Sequence, residues 1–247
     1  MATVEHLLFF LNALNPWWIF GVHVVFCGFL ILLFMRIWGI LGLYLYGALA
    51  TIASNIAVLK LVQFPLYDKP IALGTVLFMS LFLCNDIVNE YYSKREAIRL
   101  IWVGFIAYFV FSLFMWGVMT YTPFEGSIEV QNALKILFIP APALFCASLL
   151  AYFISQYTDL FLYRFIRRIT GERLLWVRSV VSTIFGAFLD NTIFSILLWY
   201  VFMPYTKGLE EIFWTYVIGV FLMRVLLSFI NTIFMYTSKK VFSHALS

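Results

Sequence analysis

The sequence predicts an all-α polytopic membrane protein, a single-domain bundle of about seven transmembrane helices over residues 1–247. Hydrophobic residues make up 64% of the 247 residues and charged residues only 11%, a proportion that a soluble domain of this length cannot bury. The apolar residues also form seven runs, each long enough to cross a bilayer as a helix. No polar stretch reaches about 20 residues, so none is long enough for a domain with its own core.

Two junctions between or within these runs predict local structure. Only Arg36 and Gly39 separate the first two runs, which predicts a tight turn. In the fifth run, Pro140 and Pro142 each remove a backbone donor. Either the helix is kinked there, or it begins after Pro142 and residues 135–141 form a loop that lines a cavity. The seven runs are 18–35, 37–62, 71–89, 97–121, 133–165, 178–203 and 212–236.

Basic residues are distributed unequally between the two sides of the predicted bundle. Eleven lie on one side, five of them within residues 164–178, and four lie on the other side. Because short loops rich in Lys and Arg stay in the cytoplasm, this bias predicts an N-terminus outside the cell and a C-terminus in the cytoplasm. The net charge of +4 is spread over these loops and indicates membrane topology rather than nucleic-acid binding.

An acidic residue deep in the sixth run is the strongest sign of function. Asp190 follows Arg178 by about 18 Å along a helix, which places it near the middle of the membrane. A charge at this depth costs on the order of 2.5–3.5 kcal/mol, so a partner must compensate it. Helical steps back from Asp190 meet Gly186, Ser182 and Ser179, a small and polar face that is expected to point into the protein. The carboxylate then serves either a functional site or a bond to a neighbouring helix.

Polar residues at helical spacing in five of the runs predict a solute-sized cavity between the helices. The alternative is hydrogen bonding between helices throughout. Arg224 lies near the middle of the last run, which predicts an ion pair with Asp190, and Asp86 is the alternative partner. For Glu90, a solvated interfacial position competes with a place in the site. The predicted binding residues are Asn55, Asp86, Glu90, Gln156, Asp159, Asp190, Asn191, Arg224 and Asn231.

Signatures of the common enzyme classes do not occur in the sequence. There is no GxSxG, HExxH, Walker or Rossmann glycine pattern. Three histidines and three separated cysteines offer no metal-ligand spacing. We therefore predict no catalytic residue, no metal and no cofactor. The expected partners are the lipid bilayer and a small molecule, not a nucleic acid, and the sequence leaves a homo-oligomer open.

Three stretches in a fixed order carry a family resemblance. They are CNDIVNEYYSKREAIR from Cys84, ASLLAYFISQYTDLFLYRFIRR from Ala147 and LWVRSVVSTIFGAFLDNTIF from Leu175. Together they resemble the hallmarks of the queuosine precursor transporter family, also called the vitamin uptake transporter family. Departures from the pattern include Ala187, where many members have Gln, and Arg224, where Lys is expected.

The resemblance covers residues 39–240 as a six-helix core and leaves residues 1–38 as an additional N-terminal segment with one helix. It implies a transporter of the bacterial plasma membrane that imports 7-deazaguanine bases, the precursors or the salvage form (queuine) of queuosine. Carboxylates and amides suit the donors and the carbonyl of a guanine-like edge, and aromatic rings can stack on it. The alternatives are a substrate-capture subunit of an energy-coupling-factor vitamin importer and, from another class, an intramembrane enzyme.

Overall fold

The computed structural model is a bundle of long helices, and it describes residues 6, 14–65, 70–138, 141–171, 173–202 and 208–245. The sequence forms helices wherever an apolar run offers enough length, since a helix satisfies its own backbone groups in lipid. These helices are α1 (Pro16–Trp38), α2 (Ile40–Ala57), α3 (Gly74–Tyr91), α4 (Lys94–Met119), α5 (Ile128–Phe138), α6 (Ala141–Thr170), α7 (Leu175–Ser195) and α8 (Val220–Ala245).

Short irregular elements lie at one end of the bundle. A minimal antiparallel hairpin between α2 and α3 pairs β1 (Leu61–Val62) with β2 (Ile71–Ala72). A π-helical segment, Ile196–Phe202, continues α7, and another, Ile212–Gly219, leads into α8. A 3₁₀ turn, Glu125–Ser127, precedes α5. Wide π-helical turns often occur at functional sites. The first π segment lines a cavity between the helices, and the second ends next to that cavity.

Among the residues that the structure describes, five helical stretches are long and apolar enough to cross a membrane: Pro16–Trp38, Ile40–Ala57, Lys94–Met119, Leu175–Phe202 and Ile212–Phe242. The predicted all-α polytopic membrane bundle is therefore confirmed. The long helices α3 and α6 are not among the five, and both carry predicted polar stripes. Between Gly74 and Asn89 nearly every residue of α3 is buried, so this helix has little surface to offer to lipid.

Helix α3 is the centre of the bundle. It contacts α1, α2, α4, α6, α7 and α8, while α6 packs along the length of α7. The main apolar core surrounds α3 and includes Met35, Leu43, Leu83 and Ile87, all fully buried. Large apolar side chains on the outer helices, such as Phe114 on α4, are exposed and form a lipid-compatible rim. Polar groups carried by α3 are thereby held in the interior.

The turn between α1 and α2 is as tight as predicted. Gly39 alone joins the two helices, with φ +58°, a conformation that suits glycine. Three residues later, a Cβ on Gly42 would lie 2.1 Å from the carbonyl oxygen of Phe34. The two helices therefore approach each other closely only because residue 42 has no side chain.

The fifth apolar run is divided between two helices. Residues up to Phe138 belong to α5 and those from Ala141 belong to α6, while Pro140 lies outside the described residues. Of the two alternatives, a helix that begins after Pro142 is wrong, because α6 begins at Ala141, before that proline. Proline is tolerated in a first turn, where its missing N–H has no acceptor within the helix. The predicted loop over 135–141 is also wrong for residues 135–138, which are helical.

Candidate functional site

A cavity of about 300 Å³ lies between the β-hairpin and the first two turns of α8. Its volume is at the lower end of the range for small-molecule pockets. Most of its wall is apolar, supplied by the end of α2, the hairpin, α3, α7 with its π segment, and α8. A few polar groups and three aromatic rings interrupt this wall: Thr75, Phe78, Asn191, Phe194, Ser195, Trp199 and Arg224. A wall of this composition fits a flat, partly polar organic solute.

The predicted ion pair lies at the inner side of the cavity, with Arg224 on its wall and Asp190 behind it. Arg224 Nη1 of α8 donates to Asp190 Oδ2 of α7 at 2.6 Å, and both side chains are buried. Ser155 Oγ of α6 lies 3.4 Å from the other oxygen, Asp190 Oδ1. The prediction that Asp190 rather than Asp86 pairs with Arg224 is confirmed. Because consecutive helices bring opposite charges to the same depth, each charge compensates the other.

Arg224 lines the cavity, where its guanidinium can donate to a ligand. Among the described residues, no group accepts from its buried Nε. The guanidinium carbon lies 5.6 Å from the ring centre of Phe78, which also lines the cavity. A fork of N–H donors beside an aromatic face can bind the carbonyl oxygen of a planar ring while that ring packs on Phe78.

A second polar cluster lies deeper, between α3, α6 and α7. Ser179 donates to Asp86 Oδ2, and Asn85 Nδ2 donates to Asp159 Oδ2 at 3.4 Å. Asp86 is 1% exposed and Asp159 is fully buried. Neither residue is among those that line the 300 Å³ cavity. The cluster is therefore a separate feature of the interior.

A third cluster occupies the end of the bundle opposite the hairpin. Arg178 donates to both carboxylate oxygens of Glu90, at 2.6 Å from Nη2 and 3.0 Å from Nε. Its Nη1 donates to the carbonyls of Gly171 and Arg173 at 2.9 and 3.2 Å, and Tyr163 Oη donates to Glu90 at 2.8 Å. Treating Arg178 as a loop charge is wrong: it lies in the first turn of α7 and is 1% exposed. The bidentate pair with Glu90 compensates the buried charge of Arg178. For the same reason, Glu90 is not a freely solvated carboxylate.

Close packing of α6 on α7 fixes the distance between these clusters. A Cβ at Gly186 would lie 3.2 Å from Asp159 Cβ and 3.2 Å from the Ser155 carbonyl oxygen. The ring of Phe82 would be closer still, at 2.7 Å. Glycine at this position therefore allows α6 to present Ser155 and Asp159 directly to α7.

Comparison with known proteins decides what kind of molecule carries these clusters. A family model described as "Putative vitamin uptake transporter" matches residues 72–238, about two thirds of the chain. The chain belongs to the vitamin uptake transporter family. A curated relative, the "Probable queuosine precursor transporter" of Bacillus subtilis (strain 168), is 32% identical over 228 residues, covering 92% of this chain and 95% of the relative. A comparison with solved structures found no match.

Membership of this transporter family agrees with the predicted resemblance, and the structure sorts the predicted binding residues into groups. Asp190, Asn191 and Arg224 line the cavity or the small space of about 30 Å³ beside it. Asp86 and Asp159 belong to the deep cluster. Glu90 belongs to the cluster at the far end, paired with Arg178.

The other three predicted residues lie elsewhere in this family member. Asn231 Nδ2 donates to the Met79 carbonyl at 2.9 Å and so ties α8 to α3. Asn55 Nδ2 donates to the Thr51 carbonyl at 2.8 Å, one turn back on α2. Gln156 is buried on α6. None of the three is among the residues that line the 300 Å³ cavity.

Several wall residues were missed by sequence reasoning. Phe78, Phe194 and Trp199 line the cavity, but 28 phenylalanines and 8 tryptophans in an apolar chain give no signal that singles them out. Asn85 was also missed, although it stands next to Asp86. Asn85 belongs to the deep cluster rather than to this wall, and its bond to Asp159 depends on the packing of α3 against α6.

Proposed function

We propose that this member of the vitamin uptake transporter family imports a 7-deazaguanine base across the bacterial plasma membrane, using the cavity beside Arg224. The observation that carries the proposal is the 32% identity to a protein named as a queuosine precursor transporter, extending over 92% of this chain. Queuosine precursors contain a guanine-like ring, so the proposal requires a site for a flat ring with a carbonyl and adjacent N–H donors.

The polar groups of the cavity support recognition of such a ring. The guanidinium of Arg224, which lines the cavity, would donate to the ring carbonyl. Asn191, whose Nδ2 lies 3.4 Å from the Val217 carbonyl, offers its amide oxygen to the ring N–H donors. Phe78 and Phe194 supply aromatic faces on the same wall. The proposal assigns solute contact to these cavity residues and leaves Asp86 and Asp159 outside it.

A binding measurement tests this assignment. Labelled 7-deazaguanine should bind the purified protein, and guanine should compete for it far better than adenine, whose amino group presents a donor where the site requires an acceptor. Asn191→Leu should weaken binding at least about tenfold, the effect of one lost hydrogen bond to a polar ligand. Arg224→Lys should retain partial binding, because it keeps the charge without the planar fork.

Phe185→Leu is the control for this series, since Phe185 lies on the same helix but is 56% exposed on its outer surface. The affinity of the Phe185→Leu variant for 7-deazaguanine should equal that of the unmodified protein. Equal competition by guanine and adenine, or unchanged binding in Asn191→Leu, would contradict the assignment of the cavity.

The orientation is also part of the proposal: the segment between α6 and α7 is cytoplasmic because it carries the densest basic cluster. Gly171 has φ +59°, which disfavours a cysteine there, so the exposed Arg173 is the better probe position. In a background with the exposed Cys146 replaced by Ser, Arg173→Cys should resist a membrane-impermeant thiol reagent in intact cells. Glu125→Cys, exposed at the opposite end, should react. The reverse labelling pattern would invert the topology.

A further inference from the structure

The deep cluster contains two carboxylates that have only uncharged hydrogen-bond partners. Asp86 of α3 accepts from Ser179 of α7, and Asp159 of α6 accepts from Asn85 of α3. Within the described part of the chain neither carboxylate forms an ion pair. The other two carboxylates buried in this interior differ, because Asp190 is paired with Arg224 and Glu90 with Arg178.

Three buried oxygens of this cluster lack a hydrogen-bond partner among the described residues. They belong to both carboxylates and to the amide that donates to Asp159: Asp86 Oδ1, Asp159 Oδ1 and Asn85 Oδ1. Asn85 is 1% exposed, so water does not compensate its orphaned oxygen from the surface. Buried acceptors left without a partner are stabilised by a positively charged or donating group, of which a proton is the smallest.

No charged or titratable group of the described residues is in a hydrogen bond or an ion pair with the two aspartates. Glu90 of α3 and Tyr163 of α6 lie one turn beyond the two aspartates. Glu90 is a further carboxylate, and the Tyr163 hydroxyl already donates to Glu90. Arg178 of α7 and Arg224 of α8 donate to Glu90 and Asp190. The half-buried Arg164 of α6 donates to Asn89, one turn beyond Asp86 on α3. Further along α3 and α7 the titratable groups are Cys84 and Asp190.

We infer that Asp86 and Asp159 form a proton-binding site that couples solute import to proton entry. Two carboxylates buried in one cluster without a cationic partner cannot both ionise freely, so the pair holds one proton as an O–H on one carboxyl, which donates to a neighbouring oxygen. The proton is taken up from the outer side, and the same O–H bond breaks when it is released to the cytoplasm. The inference rests on the proposed function, because it assumes that a solute moves.

Helix α6 provides a physical link between this proton site and the cavity. Ser155 and Asp159 stand one turn apart on α6, and both pack against Gly186 of α7. Ser155 Oγ reaches Asp190 at 3.4 Å, and Asp190 holds Arg224 at the cavity wall. A solute that accepts a hydrogen bond from Arg224 therefore changes the hydrogen bonds of Asp190. Through Ser155, this change reaches α6, the helix that carries Asp159.

Proteoliposomes containing only this chain test the inference with 7-deazaguanine, a trapped pH dye and a potassium–valinomycin clamp on the membrane potential. With the outside more acidic by one pH unit, the unmodified protein should accumulate the base about tenfold and acidify the lumen, as one proton per neutral solute requires. Asp86→Asn and Asp159→Asn should lose accumulation and lumen acidification. Both should keep counterflow exchange within about threefold, whereas Asp190→Asn should lose exchange as well.

The outcomes separate the inference from the proposed function. Counterflow by the unmodified protein without acid-driven accumulation, accumulation driven by a sodium gradient instead, or tenfold accumulation by both Asn variants would overturn the inference alone. Absence of counterflow in the unmodified protein would overturn the proposed function and the inference with it. If a variant fails to purify as folded protein, the dependence of accumulation on the pH gradient in the unmodified protein still tests the inference.

Discussion

Replacing either partner of the Asp190–Arg224 pair should destabilise the protein by about 3–5 kcal/mol, because the remaining charge is stranded in the interior. Arg224→Met leaves a buried carboxylate that keeps only the 3.4 Å contact from Ser155. Asp190→Leu leaves a buried guanidinium beside Phe78. The double substitution removes both charges and should recover most of the lost stability, while binding and transport stay lost because the donors at the cavity wall are gone.

Thermal unfolding in detergent, combined with a binding assay on the same preparations, measures these two effects separately. Ser228→Ala is a suitable control, since Ser228 lies one turn from Arg224 and its hydroxyl bonds only its own helix, at the Val225 carbonyl. Its melting temperature should change little. Additive destabilisation in the double variant would mean that the two residues are not coupled and would contradict the role of the pair.

Removing Arg178 should have an effect at least as large. Its guanidinium holds Glu90 in two hydrogen bonds and also the backbone carbonyls of Gly171 and Arg173, so Arg178→Met strands a carboxylate and frees the α6–α7 connection. We expect a loss of about 3–5 kcal/mol of stability. Glu90→Gln should lose less, because the amide oxygen still accepts from Arg178.

The matched control for this prediction is Arg168→Met, which makes the same chemical change at an exposed residue of the same basic cluster. Surface substitutions of this kind usually alter stability by less than about 0.5 kcal/mol. The comparison uses melting curves of the three variants and their monodispersity in detergent. Equal stability of Arg178→Met and Arg168→Met would show that Arg178 acts only as a topological charge.

The sequence predicted the elements of the fold well because apolar length and loop charge are local properties. The tight turn at Gly39 and the pairing of Asp190 with Arg224 followed from spacing and depth alone. The division of the fifth run did not, because the same apolar composition suits both one long helix and two helices joined near Pro140. Helix α3 was read as one span among seven, although its central position depends on which helices surround it.

The candidate site was only partly predictable for a related reason. Polar residues are distinctive within apolar runs, so the sequence identified Asp190, Asn191 and Arg224 as candidates. The aromatic wall of Phe78, Phe194 and Trp199 was not, since nothing local distinguishes these rings from lipid-facing ones. Arg178 was misread because a basic residue at the start of an apolar run resembles a loop charge, and only the tertiary contact with Glu90 reveals its burial.

The most direct test of the central claim, that this chain by itself moves a 7-deazaguanine base across a membrane, is counterflow into proteoliposomes that contain no other protein. Vesicles preloaded with unlabelled 7-deazaguanine should take up the labelled base transiently above its equilibrium level, and Arg224→Met vesicles should not. Uptake that never exceeds the level of protein-free vesicles, or that appears only after an ATPase partner is added, would contradict the account.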